Sequence, residues 1–310
     1  MLLLAVFMVA ANAGDGAARS DKGVGPTSLA AGYGSVWIGM GNGDVIRVDG
    51  RSGREQARLR VTTTSFVHGI AAAYGAVWAL RGGLTRIDPR RNKSRGVRDG
   101  SPTAFTLRVG SGSLWIADDG SNEILRIDPI RERLAARVGV PGRAWGVAAG
   151  PKDVVVLSVP GRGPVTGPDG TRFLYRLDPA TDRLSPPLAR VGCDVGLAVG
   201  ADAVWSFDSC TGVLARRDSR TLRVVKQVKT GVLSQTPALG FRSVWLASRG
   251  GVLRIDPVTL VTVARIPARS LTLAVGGGFV WALDGLHRTV RKIDPGTNRV
   301  VGRIEIATDS

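Results

Sequence analysis

The chain is poor in the residues that most chemistry is built on. Its 310 residues include two Cys, two His, three Met and three Tyr, and aromatics make up 5%. The histidines, His68 and His287, are too few and too far apart in sequence for a histidine-rich metal centre. The cysteines, Cys193 and Cys210, form no C-x-x-C, which excludes a thioredoxin-like redox motif. There is no Gly-x-Ser-x-Gly elbow, no His-Glu-x-x-His and no phosphate-binding loop. Helical apolar periodicity is absent. Beyond the first thirteen residues no apolar run is long enough to cross a bilayer.

What the chain does have is glycine (42), seven Trp and basic charge, net +17. The bases are 36 Arg against 6 Lys. That skew is unusual for a nucleic-acid binder, which normally uses both, so no specific nucleic-acid partner is expected. Arg-favouring codon usage in a high-GC genome explains it without a selected polyanion site. A surface this basic still adheres to anionic polymers or lipid head groups at low salt.

Residues 1–13, MLLLAVFMVAANA, form an apolar run closing on small residues. Ala11-Asn12-Ala13 fits the small-x-small cleavage rule, so 1–13 reads as a signal peptide and the mature chain would start near Gly14. The run lacks Lys or Arg ahead of its apolar core, and a longer N-terminus or a truncated anchor competes with that reading. The expected location is secreted or cell envelope. Residues 14–26 are small and polar, a flexible lead-in. Residues 27–310 read as one domain.

That domain is a repeat. The stretch LRVGSGSLWIADDGSNEILRIDP, 107–129, reads as three short strands separated by two turns. One such unit cannot bury its own faces. It recurs with Trp37, Trp78, Trp115, Val155 (in place of Trp), Trp205, Trp245 and Trp281 in the second strand. Asp49, Asp88, Asp128, Asp178, Asp218, Asp256 and Asp294 close the third. Successive Asp spacings are 39, 40, 50, 40, 38 and 38, the long one reflecting a Gly/Pro-rich insertion at 160–171. After each Asp comes a polar turn and a fourth strand. Four strands per unit of about forty residues, seven times over, is the pattern of an all-β, seven-bladed β-propeller with four-stranded antiparallel blades. The Trp is expected to fill the wedge between blades, and the Asp to accept backbone N–H groups in the turn. Two residues before each Asp stands a base: Arg47, Arg86, Arg126, Arg176, Arg216, Arg254 and Lys292. Seven equivalent placements read as an exposed or Asp-paired scaffold position.

At its Arg-Ile-Asp-Pro turns and Gly-x-Gly-x-Val-Trp hairpins the chain resembles the YVTN-type and streptogramin-lyase-like (virginiamycin B lyase-like) β-propellers, common as secreted bacterial proteins. The resemblance covers about 27–306. It implies the fold and an extracytoplasmic setting. For a lyase of that group it also implies a His, with a Glu and a second His close in sequence, and a magnesium ion. No Glu-x-His occurs here, so no catalytic residue carries over, and a non-enzymatic role is the expectation.

Cys193 and Cys210 flank one predicted hairpin at equal distance from its turn, 200–203, so they can face each other across it. A structural disulfide there would contribute roughly 3 kcal/mol. Two reduced thiols in a cytosolic protein is the alternative.

Two sets of residues depart from the repeat. Ten positions before each Trp stand Thr27, His68, Phe105, Trp145, Val195, Gln235 and Leu271. This ring is expected at one mouth of the central channel, where His68, Phe105, Trp145 and Gln235 could contact a ligand. Equally, the aromatics could plug the channel as core. Three residues after the Trp stand Asp118, Asp208 and Asp284, with Asp119, Asn122 and His287 in adjoining loops. Converging carboxylates could hold Mg²⁺ or Ca²⁺, or orient a base; plain turn chemistry explains them as well. No cofactor is assigned. The expected function is a monomeric binding module for a protein, glycan or small molecule. A metal-assisted, lyase-like enzyme is one alternative. Adhesion to anionic envelope polymer or a membrane surface is another, through a rim of Arg90, Arg91, Arg95, Arg98, Arg216, Arg217, Arg220 and Arg223.

Overall fold

The computed structural model describes residues 25–61, 66–97, 103–161, 171–192, 194–232, 234 and 236–307. The proposed signal peptide, Cys193 and Gln235 lie outside these residues, as does Arg98.

Seven antiparallel sheets follow one another along the chain, each with its strands in sequence order, and the fold is a seven-bladed β-propeller. Blade three is representative: Ala104–Gly110, Ser113–Asp118, Glu123–Asp128 and Arg133–Gly139. The other blades span 26–60, 69–97, 143–191, 194–229, 238–266 and 272–305. Blade one begins at Pro26, one residue earlier than the repeat implies. In blade four the outermost strand is split: Arg183–Leu184 and Ala189–Val191 both pair with Arg172–Asp178. No helix long and apolar enough to span a membrane occurs among the described residues.

Each blade has apolar side chains on both faces of its inner strands, so each must be covered by two neighbours. Seven apolar clusters result, one per seam. The repeat Trp of each blade sits in the seam to the next blade. Trp37, Trp78, Trp115 and Trp245 are wholly buried. Indole N–H groups of Trp37, Trp78, Trp115, Trp245 and Trp281 donate to the carbonyl five residues earlier, at 3.0–3.2 Å. Burying an indole requires such a partner. Among the described residues the ring closes without a shared strand: Leu29, Ile38 and Met40 of blade one pack on Trp281, Leu283 and Ile304 of blade seven.

The seven Asp residues act as turn anchors. Asp49, Asp88, Asp128, Asp218 and Asp256 each accept two backbone N–H bonds through Oδ1. The residue four past each Asp adopts a left-handed backbone, for example Asn92, Glu132, Asp182 and Asn298. The bases two residues earlier are neither simply exposed nor paired with their own Asp. Each lies opposite the Trp in the ladder, as in Trp37↔Arg47 and Trp245↔Arg254. From there five reach across the seam into the next blade's turn. Arg47 Nη1 donates to Pro89 O and Asn92 Oδ1 at 2.5 and 2.9 Å, and Arg254 Nη1 to Pro295 O and Asn298 Oδ1 at the same distances. Arg86 pairs with Glu132 at 3.2 Å, Arg126 with Asp182 at 3.0 Å, and Lys292 Nζ donates to Gly50 O at 2.7 Å. These bases are inter-blade latches. Blades five and six offer Leu222 and Leu260 at the acceptor position; Arg176 turns to Asp153 in its own blade at 2.6 Å, and among the described residues Arg216 has no hydrogen-bond or ion-pair partner.

The outermost strands, such as Glu55–Arg60 and Val224–Lys229, carry charged, exposed side chains. Charge on an otherwise unpaired edge blocks strand addition by another chain. Much of the net charge therefore serves the scaffold.

Candidate functional site

The seven innermost strands surround the central channel. Of the residues ten before each Trp, Thr27, His68, Trp145 and Leu271 border cavities in this channel, and the ladder is irregular at several of these positions. In blades one, three, four and five the register skips one residue: Pro26↔Met40 then Ser28↔Gly39, Ala104↔Asp118 then Thr106↔Ala117, Ala144↔Ser158 then Gly146↔Leu157, and Asp194↔Asp208 then Gly196↔Phe207. The skipped residues are Thr27, Phe105, Trp145 and Val195, which are members of the ring. A β-bulge leaves its extra residue unpaired and turns its side chain out of the pleat alternation.

Two cavities occupy the channel. The larger, about 390 Å³, is bordered by Thr27, His68 and Leu271 of the ring and by Ser28, Thr106, Arg108, Thr236 and Thr272 one to three residues further in. The smaller, about 170 Å³, is bordered by Trp145, Val147, Leu157 and Leu197. Thr106, Arg108 and Thr236 border both. The structure thus brings His68 and Trp145 onto one channel, on opposite sides of Arg108. Phe105 shares the bulge geometry, but its side chain lies outside the described residues, as does Gln235.

His68 Nε2 lies 3.4 Å from Arg81 Nη1, and its ring is tilted on Phe66 at 5.7 Å. Burial, and then the charge of Arg81, hold the His68 imidazole below its usual range. Trp145 carries Arg143 over its ring at 5.5 Å. It also packs against the seam between blades four and five, the one seam where Val155 replaces the repeat Trp. Trp145 is therefore both channel wall and partial filler.

The three aspartates do not converge. Asp118 accepts the Thr103 hydroxyl and the Gly120 N–H, and Asp119 forms a two-pronged pair with Arg143. Asp208 Oδ1 accepts the N–H groups of Cys210 and Thr211, both at 2.9 Å. Asp284 is buried and accepts from His287 Nδ1 at 2.8 Å, with Arg291 and Arg269 at 3.7 and 3.8 Å. Burial raises the Asp284 carboxyl, but the ring and backbone hydrogen bonds of His287, with Arg269, outweigh it and hold it below the usual range. None of these residues borders either cavity. Among the described residues no three His, Cys, Asp or Glu gather as metal ligands. Turn chemistry accounts for Asp118 and Asp208.

The ladder of the cysteine hairpin ends at Asp194↔Asp208, with Cys210 two residues beyond. On the Arg rim, Arg217 is a correction: it is buried, donating to Ser206 Oγ at 2.8 Å and Leu222 O at 2.9 Å. Arg91 pairs with Asp88, and Arg95 with Glu132.

The residue that sequence reasoning missed is Arg108. It lies opposite Trp115 in the ladder. The same place is Ala30, Ala71, Ala148, Ala198, Ala238 and Ala274 in the other blades. Reading seven residues back from each Trp would have exposed this single departure.

No protein-family model matches the chain, and no curated protein matches it in sequence. Solved structures do match in shape. The computationally designed Ika8 protein superposes with a TM-score of 0.66 at 14% identity, covering 93% of this chain and 89% of that one. The Pan2 WD40 domain of Neurospora crassa gives 0.65 at 13% identity, covering 85% and 87%. Streptogramin B lyase gives 0.63 at 13% identity, covering 84% and 90%. What they share with this chain is the propeller. Identities this low carry no chemistry across.

Proposed function

We propose that this chain is a ligand-binding β-propeller of the cell envelope or secreted space, using one mouth of its channel. The observation that carries the reading is the channel itself. Its seams and turns follow the repeat, whereas the residues ten before each Trp differ in kind from blade to blade; of these, Thr27, His68 and Leu271 border a cavity of about 390 Å³ and Trp145 borders one of about 170 Å³. Scaffold positions converge on one residue type; recognition positions need not. His68, Phe105, Trp145 and Gln235 form the contact set. Export, removal of 1–13 and a Cys193–Cys210 disulfide belong to the same reading, since disulfides persist in oxidising compartments. Membership of the streptogramin-lyase-like or YVTN-type propellers also remains a proposal, supported by the turn and hairpin motifs and by the shape match to streptogramin B lyase.

Screening the protein by thermal shift against a panel of monosaccharides, oligosaccharides, peptides and polar metabolites tests the binding reading. Compounds that raise the melting temperature should lose that effect in His68→Ala/Trp145→Ala. Equal stabilisation of the double variant by every hit would move binding off this mouth.

A further inference from the structure

We propose that Arg108 makes the channel a receptor for small monoanionic carboxylates. This rests on the channel being a ligand site, and it names the chemistry of that site. Six blades place Ala at this point of the innermost strand and blade three alone places Arg, so the guanidinium is not required by the repeat. It is half-buried on the wall shared by both cavities. One Nη1–H donates to Leu107 O at 2.8 Å, which holds the side chain; no carboxylate among the described residues pairs with it. A guanidinium carries five donors in a planar fork and does not deprotonate in proteins. Its burial pushes its pKa down without removing the charge. A half-buried guanidinium without a carboxylate partner keeps donors to offer, and an anion entering the channel can take them.

The charge count selects the class. Among the described residues Arg108 is the one Arg, Lys, Asp or Glu bordering either cavity, and burial, then the charge of Arg81, hold the His68 imidazole below its usual range. A single positive charge matches a monoanion; a phosphate dianion would enter with one charge unmet. A carboxylate also fits the fork with two parallel N–H···O bonds. Thr106 and Thr236 stand beside Arg108 on both cavities as further hydrogen-bond partners, while Trp145, Val147 and Leu197 offer an apolar wall to the rest of the molecule.

Calorimetric titration of the full chain at constant ionic strength, with sodium acetate, lactate and benzoate against benzamide and inorganic phosphate, tests this. At least one carboxylate should bind saturably, with benzoate at least tenfold tighter than benzamide, its neutral isostere. Arg108→Ala should weaken that binding tenfold or more. It should melt no lower than the parent, because Ala is what six blades carry. Arg108→Lys should keep part of the affinity, having the charge without the fork. Carboxylate binding that survives Arg108→Ala, benzamide binding as tightly as benzoate, or phosphate displacing benzoate each overturns the proposal. If neutral compounds bind and Trp145→Ala abolishes that, the channel remains a ligand site and the carboxylate assignment alone fails. If no probe binds the parent, the carboxylate assignment fails, and the wider ligand reading is decided by the thermal-shift panel.

Discussion

Truncating Arg254 should loosen the seam between blades six and seven, while the same truncation at Arg216 should do almost nothing. Arg254 donates two bonds into the next blade, to Pro295 O and Asn298 Oδ1, and one to Ser243 Oγ, and its guanidinium lies over Trp245 at 5.1 Å. Charge-assisted hydrogen bonds contribute about 1.5–3 kcal/mol each, and the cation–π contact about 0.5–1 kcal/mol. Against this stand the side-chain entropy regained, about 2 kcal/mol, and water reaching the partly exposed turn. Arg254→Ala should therefore cost about 2–3 kcal/mol, near 5 °C in melting temperature for a domain of this size. Arg216 occupies the same repeat position, but the next blade carries Leu260 where Asn92 and Asn298 accept, and among the described residues its side chain has no hydrogen-bond or ion-pair partner, so Arg216→Ala should stay within about 0.5 kcal/mol. Calorimetric or circular-dichroism melts of the two variants side by side give the comparison. Equal losses would mean that the base acts within its own blade, through the Trp, and the latch reasoning would be wrong.

Three further outcomes follow from the same geometry. The seam between blades four and five lacks both the repeat Trp and the latch, Val155 and Arg176 standing in their places. Its strands should exchange amide hydrogens faster by mass spectrometry than those flanking the Trp245 seam; uniform protection around the ring would refute this. A Cβ added at Gly110 would stand 2.5 Å from Gly150 O and 2.7 Å from the Ala149 carbonyl carbon, all backbone. Gly110→Ala should accordingly destabilise by about 1–3 kcal/mol in urea unfolding, and a neutral result would show that blades three and four can separate freely. The seven turn aspartates titrate below their usual value, Asp128 at about 2, because backbone N–H groups and neighbouring side chains favour the carboxylate. Their folded values lie below the unfolded value of 3.8, so the unfolded chain binds more protons there. Stability from these turns should be complete above about pH 5 and fall as pH drops toward 2; Asp128→Asn should flatten that fall, and an unchanged pH profile would dissociate the turns from acid unfolding.

The sequence alone determined the fold. Period-2 alternation, turn residues and the seven-fold recurrence of Trp and Asp leave one architecture that buries every blade on both faces. The structural roles of Trp115 and Asp128 were equally legible, since burying an indole and turning a chain are local needs written in local residues. The partners of the bases were not. Arg47 meets Asn92 forty-five residues away, a contact set by how blades stack and not by any spacing within one unit. The aspartates illustrate the reverse. Asp118, Asp208 and Asp284 look like a cluster when the repeats are laid over one another, but the ring holds their blades apart: turn N–H groups engage Asp118 and Asp208, and the His287 ring engages Asp284. Only the closed ring shows that a position filled by Ala six times and Arg once borders both channel cavities. Spacing within a repeat specifies what each blade needs to fold. The channel has no such spacing, because it is made of one residue from each of several blades, and its chemistry exists only once they are brought together around the axis.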